Sequence, residues 1–94
     1  MSDNFTEELN VTVLNSLGIH ARPASLFVQT ASQFESEIKV VCNDNEVDGK
    51  SLMGLLMLAA GKGTELTIKI SGNDAKAASE AFYDLVVNRL FDEE

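Results

Sequence analysis

Hydrophobic and polar residues alternate with a period of two in three segments of the chain. Such alternation predicts β-strands that bury one face and expose the other. The run Asn43-Asp44-Asn45 favours a tight turn after the second segment, so we expect Glu46-Val47-Asp48 to form a short return strand of a hairpin. The inward positions of the three longer strands are Leu9, Val11 and Val13; Ile38, Val40 and Cys42; and Leu66, Ile68 and Ile70.

Three other segments repeat their apolar residues at the spacing of one helix face. The pattern predicts a first helix whose apolar face runs from Ala24 to Phe34, and further helices over residues 51–60 and 74–90. Asn73 or Asp74 is the predicted N-cap of the last one. The predicted order is therefore strand, helix, strand, short strand, helix, strand, helix. One-sided strands are typical of antiparallel or mixed sheets that are covered on one face. We expect an α+β open-faced sandwich, a single domain over residues 1–94 with about four mainly antiparallel strands and three helices on one face.

Composition narrows the function. The 94 residues carry 15 acidic and 7 basic side chains, a formal charge of −8, and this balance disfavours a nucleic-acid partner. The longest apolar run, Leu52 to Ala60, is far shorter than a membrane span, and the N-terminus does not resemble a signal peptide. We therefore expect a cytoplasmic protein that does not insert into membranes.

The single cysteine and single histidine are too few for a structural zinc site. We expect no metal, and no cofactor either. Cys42 falls at an inward strand position, where a small core side chain is the simplest interpretation. The acidic residues also avoid two segments, Leu9 to Phe34 and Gly49 to Thr64, and gather elsewhere, including the C-terminal Asp92. We expect these two segments to form the least acidic face of the domain.

The first acid-free segment contains Gly18-Ile19-His20-Ala21-Arg22-Pro23-Ala24. Proline is tolerated in the first turn of a helix, so the helix is predicted to start near Ala21 with His20 at the cap. Free backbone N–H groups and the helix dipole favour an anion there, and Arg22 adds a donor fork suited to phosphate. The unprotonated nitrogen of an imidazole is a nucleophile, so His20 is a candidate acceptor of a phosphoryl group. The alternative, a surface histidine that only caps the helix, stays open.

The run from Gly18 to Ala24 resembles the active-site signature of the HPr family, the histidine-containing phosphocarriers of the bacterial phosphotransferase system. Lys50-Ser51-Leu52-Met53-Gly54 is similar to the regulatory serine segment of that family. The resemblance covers roughly residues 7–90, including the order of elements. Leu17 departs from the small polar residue of many members, which bears on loop capping and partner preference.

The resemblance implies a relay. His20 accepts a phosphoryl group on Nδ1 from phosphorylated enzyme I, which is charged by phosphoenolpyruvate, and passes it to an enzyme IIA-type domain in sugar uptake or its regulation. Arg22 and the backbone N–H groups of Ala21 and Arg22 would hold the phosphoryl oxygens. Such a protein is a relay rather than a turnover enzyme, and we expect it to be a monomer.

Ser51 is a natural N-cap for the short helix, and that role alone accounts for a serine there. The resemblance implies a second role, phosphorylation by an HPr kinase/phosphorylase. The short helix has no polar face, so we expect part of it to be exposed as a surface for partners, namely Leu52, Met53 and Leu56.

Two further hypotheses compete with the phosphocarrier. One is a regulatory binding module controlled by phosphorylation of Ser51, with minor carrier activity. The other is a generic α+β domain that binds a small ligand, in which the run around His20 is a coincidence.

Overall fold

The alternating segments form a four-stranded sheet in the structure, a computed structural model that describes residues 6–92. The strands are β1 (Thr6–Thr12), β2 (Glu37–Cys42), β3 (Asn45–Asp48) and β4 (Glu65–Ser71). Their spatial order is β1-β4-β2-β3, and each neighbouring pair is antiparallel. The α+β open-faced fold predicted from the pattern is confirmed.

The helices are α1 (Ala21–Ala31), α2 (Leu52–Met57) and α3 (Ala75–Tyr83). All three end earlier than the periodicity predicts. In α2 the backbone turns at Ala59, whose φ of 53° is left-handed and cannot continue an α-helix.

The last predicted helix, residues 74–90, is wrong as a single α-helix. After Tyr83 the backbone widens into a π-helical turn over Asp84–Asn88 and then into a short turn over Leu90–Asp92. The apolar spacing persists through the wider turn, since Leu85 and Val86 are fully buried. Periodicity alone therefore could not reveal the change in winding.

The core lies between the inward face of the sheet and the helices. Phe27 of α1 and Phe82 of α3 stack with ring centroids 4.4 Å apart, which joins the two long helices. Cys42 is buried as predicted. The inward strand positions in this core are Val11, Ile38, Val40, Leu66, Ile68 and Ile70.

Asp74 is the N-cap residue of α3, as one of the two predicted alternatives, but its carboxylate does not cap the helix. Instead it accepts hydrogen bonds from the backbone N–H groups of Glu35 (2.8 Å) and Ser36 (3.0 Å) and from the Ser36 hydroxyl. These bonds, the Ser36 hydroxyl first, lower the pKa of Asp74 below its usual value. The carboxylate thus ties the loop before β2 to the start of α3.

The loop between β1 and α1 packs against the loop that follows α2. The N–H of Ile19 donates to the carbonyl of Ala60 at 2.8 Å. Gly18 has a left-handed φ of 72°, and a Cβ at this position would lie 2.5 Å from the Ala60 carbonyl oxygen. A glycine is needed here for both reasons. This contact fixes where α1 begins.

Candidate functional site

The site is built at the N-terminus of α1. His20 is the N-cap residue, with an extended backbone (φ −108°, ψ −166°), and the helix begins at Ala21 as predicted. The His20 side chain makes no capping hydrogen bond, and the first turn of α1 carries no acidic residue. The imidazole is exposed rather than used to close the helix. This geometry argues against the alternative in which the His20 side chain serves only to cap the helix.

Some backbone N–H groups at this helix start have no hydrogen-bond partner within the helix. The first intrahelical hydrogen bond runs from the N–H of Ala24 to the carbonyl of His20, at 3.0 Å. The N–H groups of Ala21 and Arg22 therefore have no partner within the helix, and Pro23 has no N–H. Since Arg22 is also exposed, two backbone donors and a guanidinium are available to an anion beside His20.

His20 and Arg22 line the same surface depression, which has a volume of about 210 Å³. The structure thus brings together the two side chains that the sequence singled out. Leu17, which departs from the expected small polar residue, lies at the rim of this depression with 76% of its surface exposed. The lining residues are Asn15, Leu17, His20, Arg22, Pro23, Leu90, Phe91 and Asp92.

Asn15 belongs to the site although no hydrophobic pattern marks it. It is 2% exposed, and its Nδ2 donates to the carbonyl of Gly18 at 2.7 Å. Its Oδ1 is buried and has no hydrogen-bond partner among the described residues. Asn15 therefore holds the loop that presents His20. An asparagine three residues before a left-handed glycine is the signal that could have found it.

One acidic residue from outside the two acid-free segments enters the site. Asp92 lines the depression with His20 and Arg22, because the turn over Leu90–Asp92 packs against α1. Its carboxylate accepts from Nε of Arg89 at 2.9 Å and also from Nη2 of the same side chain. The hydrogen bond to Arg89 is the main cause of a lowered pKa of Asp92, and the charge of Arg22 adds a smaller effect.

The remaining predicted residues lie on α2, outside the lining of the depression. Ser51 is the N-cap of α2, and its hydroxyl oxygen accepts from the N–H of Gly54 at 3.0 Å, as predicted. Leu52 and Met53 are exposed by 40% and 67%, while Leu56 is half-buried. Met57, exposed by 76%, was missed. The apolar surface of α2 therefore consists of Leu52, Met53 and Met57, with Leu56 at its edge.

Within residues 6–92, no three His, Cys, Asp or Glu side chains come together as a metal site would require. No helix in the same range is long and apolar enough to span a membrane.

The fold and the site define a class of protein. A small α+β domain presents an exposed histidine at a helix start whose free N–H groups, with a neighbouring arginine, can hold the oxygens of an anion. A group transferred to such an imidazole must be anionic to gain from these donors, and a phosphoryl group fits that description.

Comparison with known proteins agrees with this class. Residues 7–88 match the family described as PTS HPr component phosphorylation site. The phosphocarrier protein HPr of Neisseria meningitidis serogroup A is 49% identical over 77 residues, which cover 82% of this chain and 86% of that protein. The chain belongs to the HPr family, the phosphocarrier proteins of the phosphotransferase system.

Solved structures of the family share the fold. The crystal structure of HPr-C-His from Thermoanaerobacter tengcongensis superposes with a TM-score of 0.88 at 40% identity and covers 94% of this chain and 98% of that one. An HPr dimer from the same organism gives a TM-score of 0.71 at 38% identity, covering 89% and 97%. The expectation that this chain is a monomer therefore stays a prediction.

Proposed function

We propose that this chain relays phosphoryl groups through His20. The observation that carries the proposal is the exposed imidazole at the open start of α1, in one depression with Arg22. A lone pair on Nδ1 attacks phosphorus, the new N–P bond forms as the bond to the donor breaks, and the donor atom keeps the electron pair of the broken bond. The N–H groups of Ala21 and Arg22 and the Arg22 guanidinium receive the phosphoryl oxygens.

The donor in this proposal is phosphorylated enzyme I, charged by phosphoenolpyruvate, and the acceptors are enzyme IIA-type domains. Incubation with phosphoenolpyruvate and enzyme I is expected to give one acid-labile phosphate per chain, and none in His20→Ala. Lys69→Gln, on the open face of the sheet, is the matched control and should label like the wild type. Label that persists in His20→Ala, or a wild-type chain that takes no label, would refute the proposal.

The apolar surface of α2 is the proposed docking site for these partners. Met53 and Met57 are two-thirds or more exposed, and methionine adapts to partners of different shape. The substitution Met53→Lys should slow transfer both from enzyme I and to an enzyme IIA domain, with the unfolding free energy unchanged. Lys62→Gln, in the loop after α2, serves as the control. Equal transfer rates for Met53→Lys and wild type would contradict this docking site.

Regulation at Ser51 is a second proposal, favoured by its place at the start of α2 beside exposed Leu52 and Met53. A phosphate there would add about −1.5 to −2 charges next to the docking surface and repel negatively charged partners. An HPr kinase/phosphorylase with ATP should give an acid-stable phosphate that is lost in Ser51→Ala and retained in Ser25→Ala. An unlabelled wild-type chain would exclude this regulation and leave the relay through His20 intact.

A further inference from the structure

The turn over Leu90–Asp92 places a carboxylate in the wall of the site. All three residues have left-handed backbones, with φ values of 51°, 56° and 57°. Phe91, in the middle, is 1% exposed and belongs to the core. A left-handed backbone is rare for residues other than glycine and persists only where the surroundings enforce it. The position of Asp92 is therefore fixed by the fold, by a buried anchor beside it.

Asp92 shares the depression with His20 and Arg22. An ionised carboxylate there has two unfavourable effects on the arrival of a phosphoryl group. It repels the phosphoryl oxygens directly, and it competes with them for the guanidinium of Arg22. Both effects grow when a docked partner excludes water from the depression.

Arg89 offsets this charge. Its Nε donates to Oδ1 of Asp92 at 2.9 Å and its Nη2 donates to Oδ2, so the guanidinium meets both carboxylate oxygens. The Nη1 atom of Arg89 also lies 3.9 Å from Oδ2 of Asp84. A two-point pair of this kind fixes the orientation of the carboxylate as well as balancing its charge. Arg89 does not line the depression itself.

We propose that Arg89 is a positioning residue for phosphoryl transfer: it holds Asp92 in a neutralised pair and so leaves Arg22 to the phosphoryl group on His20. This inference rests on the proposed relay function. It assigns different tasks to the two arginines of the chain, Arg22 facing the phosphoryl group and Arg89 facing the acid behind it.

The test compares three variants in the rate of phosphoryl acceptance from phosphorylated enzyme I at low ionic strength. Arg89→Gln frees the carboxylate and should slow acceptance by roughly tenfold. Asp92→Asn removes the charge and should raise the rate above that of the wild type. The double variant carries neither charge and should recover to within about twofold of the wild-type rate, because the loss in Arg89→Gln comes from Asp92.

A purely structural role for the pair predicts a different pattern. If the pair only fastened the last turn, all three variants would break the same contact and lose the same rate. A double variant as slow as Arg89→Gln, or an Arg89→Gln variant as fast as the wild type, therefore overturns the proposal. The unfolding free energy of each variant, measured in urea, shows that the compared chains are folded.

The same series separates this inference from the function on which it rests. If the wild-type chain accepts no label, or if His20→Ala accepts it equally, the relay itself fails. If the wild type labels at His20 and Arg89→Gln labels at the same rate, only the role of Arg89 fails.

Discussion

The starts of α1 and α2 differ in what happens to the backbone N–H groups that have no partner within the helix. At α2 the Ser51 hydroxyl accepts from the N–H of Gly54, so the helix satisfies one of its own free donors. At α1 the N-cap side chain, His20, makes no such bond, and the N–H groups of Ala21 and Arg22 have no partner within the helix. A helix start closed by its own side chain gains stability. One left open can receive an external anion.

Replacing Gly18 with alanine should disrupt the start of α1 most strongly. The new Cβ would lie 2.5 Å from the Ala60 carbonyl oxygen, and the backbone would still need a φ of 72°. We expect a loss of about 3 kcal/mol in unfolding free energy, measured by urea denaturation. Gly63→Ala is the matched control, because it also has a positive φ but its Cβ meets nothing within 4 Å. Equal losses in the two variants would contradict the steric argument.

Replacing Arg22 with glutamine should affect transfer without affecting folding. Loss of a donor to a developing anionic centre slows the reaction roughly a hundredfold. Because the side chain is exposed, the unfolding free energy should change by no more than about 0.5 kcal/mol. Arg22→Lys keeps the positive charge but loses the two-pronged guanidinium. Its rate of single-turnover acceptance from enzyme I should fall between those of the wild type and Arg22→Gln. A glutamine variant that transfers at the wild-type rate would remove Arg22 from the site.

Removing the hydroxyl of Ser51 should lower stability without affecting transfer, the reverse of the result expected for Arg22. Ser51→Ala leaves the N–H of Gly54 without its acceptor and should cost about 1 kcal/mol in unfolding free energy. Ser51→Thr keeps the hydroxyl and should lose less unfolding free energy than Ser51→Ala. Acceptance of phosphate at His20 should continue in both variants, since Ser51 lies outside the depression. A large loss of acceptance in Ser51→Ala alone would mean that the two helix starts are not independent.

The start of α3 differs from both, because the carboxylate of its N-cap residue, Asp74, accepts hydrogen bonds from a neighbouring loop instead of from the helix. We expect the smallest change in stability here. The pKa of Asp74 lies below its usual value of 3.8, chiefly because of the Ser36 hydroxyl. The stabilisation is therefore present above that usual pKa and is lost as the pH falls through the lowered one.

The matching experiment measures unfolding free energy against pH. The difference in unfolding free energy between Asp74→Asn and the wild type should become smaller as the pH falls below the usual carboxyl pKa. Glu80→Gln, an exposed position on the same helix, is the control and should not show this convergence. A difference between wild type and Asp74→Asn that does not depend on pH would refute the assignment.

Much of the fold and the centre of the site could be predicted because they depend on local pattern. Alternation located the strands, and Pro23 located the start of α1 and thus His20. Ser51 was found as a cap from its place before an apolar run. Each of these follows from residues that are neighbours in sequence.

The features that were missed depend on contacts between distant parts of the chain. Asp92 reaches the site through a left-handed turn at Leu90 and Phe91, residues that carry no turn signal. The π-helical turn before it keeps the apolar spacing of an α-helix. Asn15 is the exception, because its hydrogen bond to Gly18 is local. It was missed because hydrophobic periodicity does not mark a buried polar residue in a loop.

The hydrogen bond from Ile19 to Ala60 also has a consequence for how the protein folds. It joins two loops that are far apart in sequence, and contacts of large sequence separation are slow to form because the intervening chain must first be ordered. The imidazole can therefore be aligned with its donors only after both loops have docked. Acceptance of phosphate during refolding would then report completion of the tertiary structure, later than the signals from helix and strand formation.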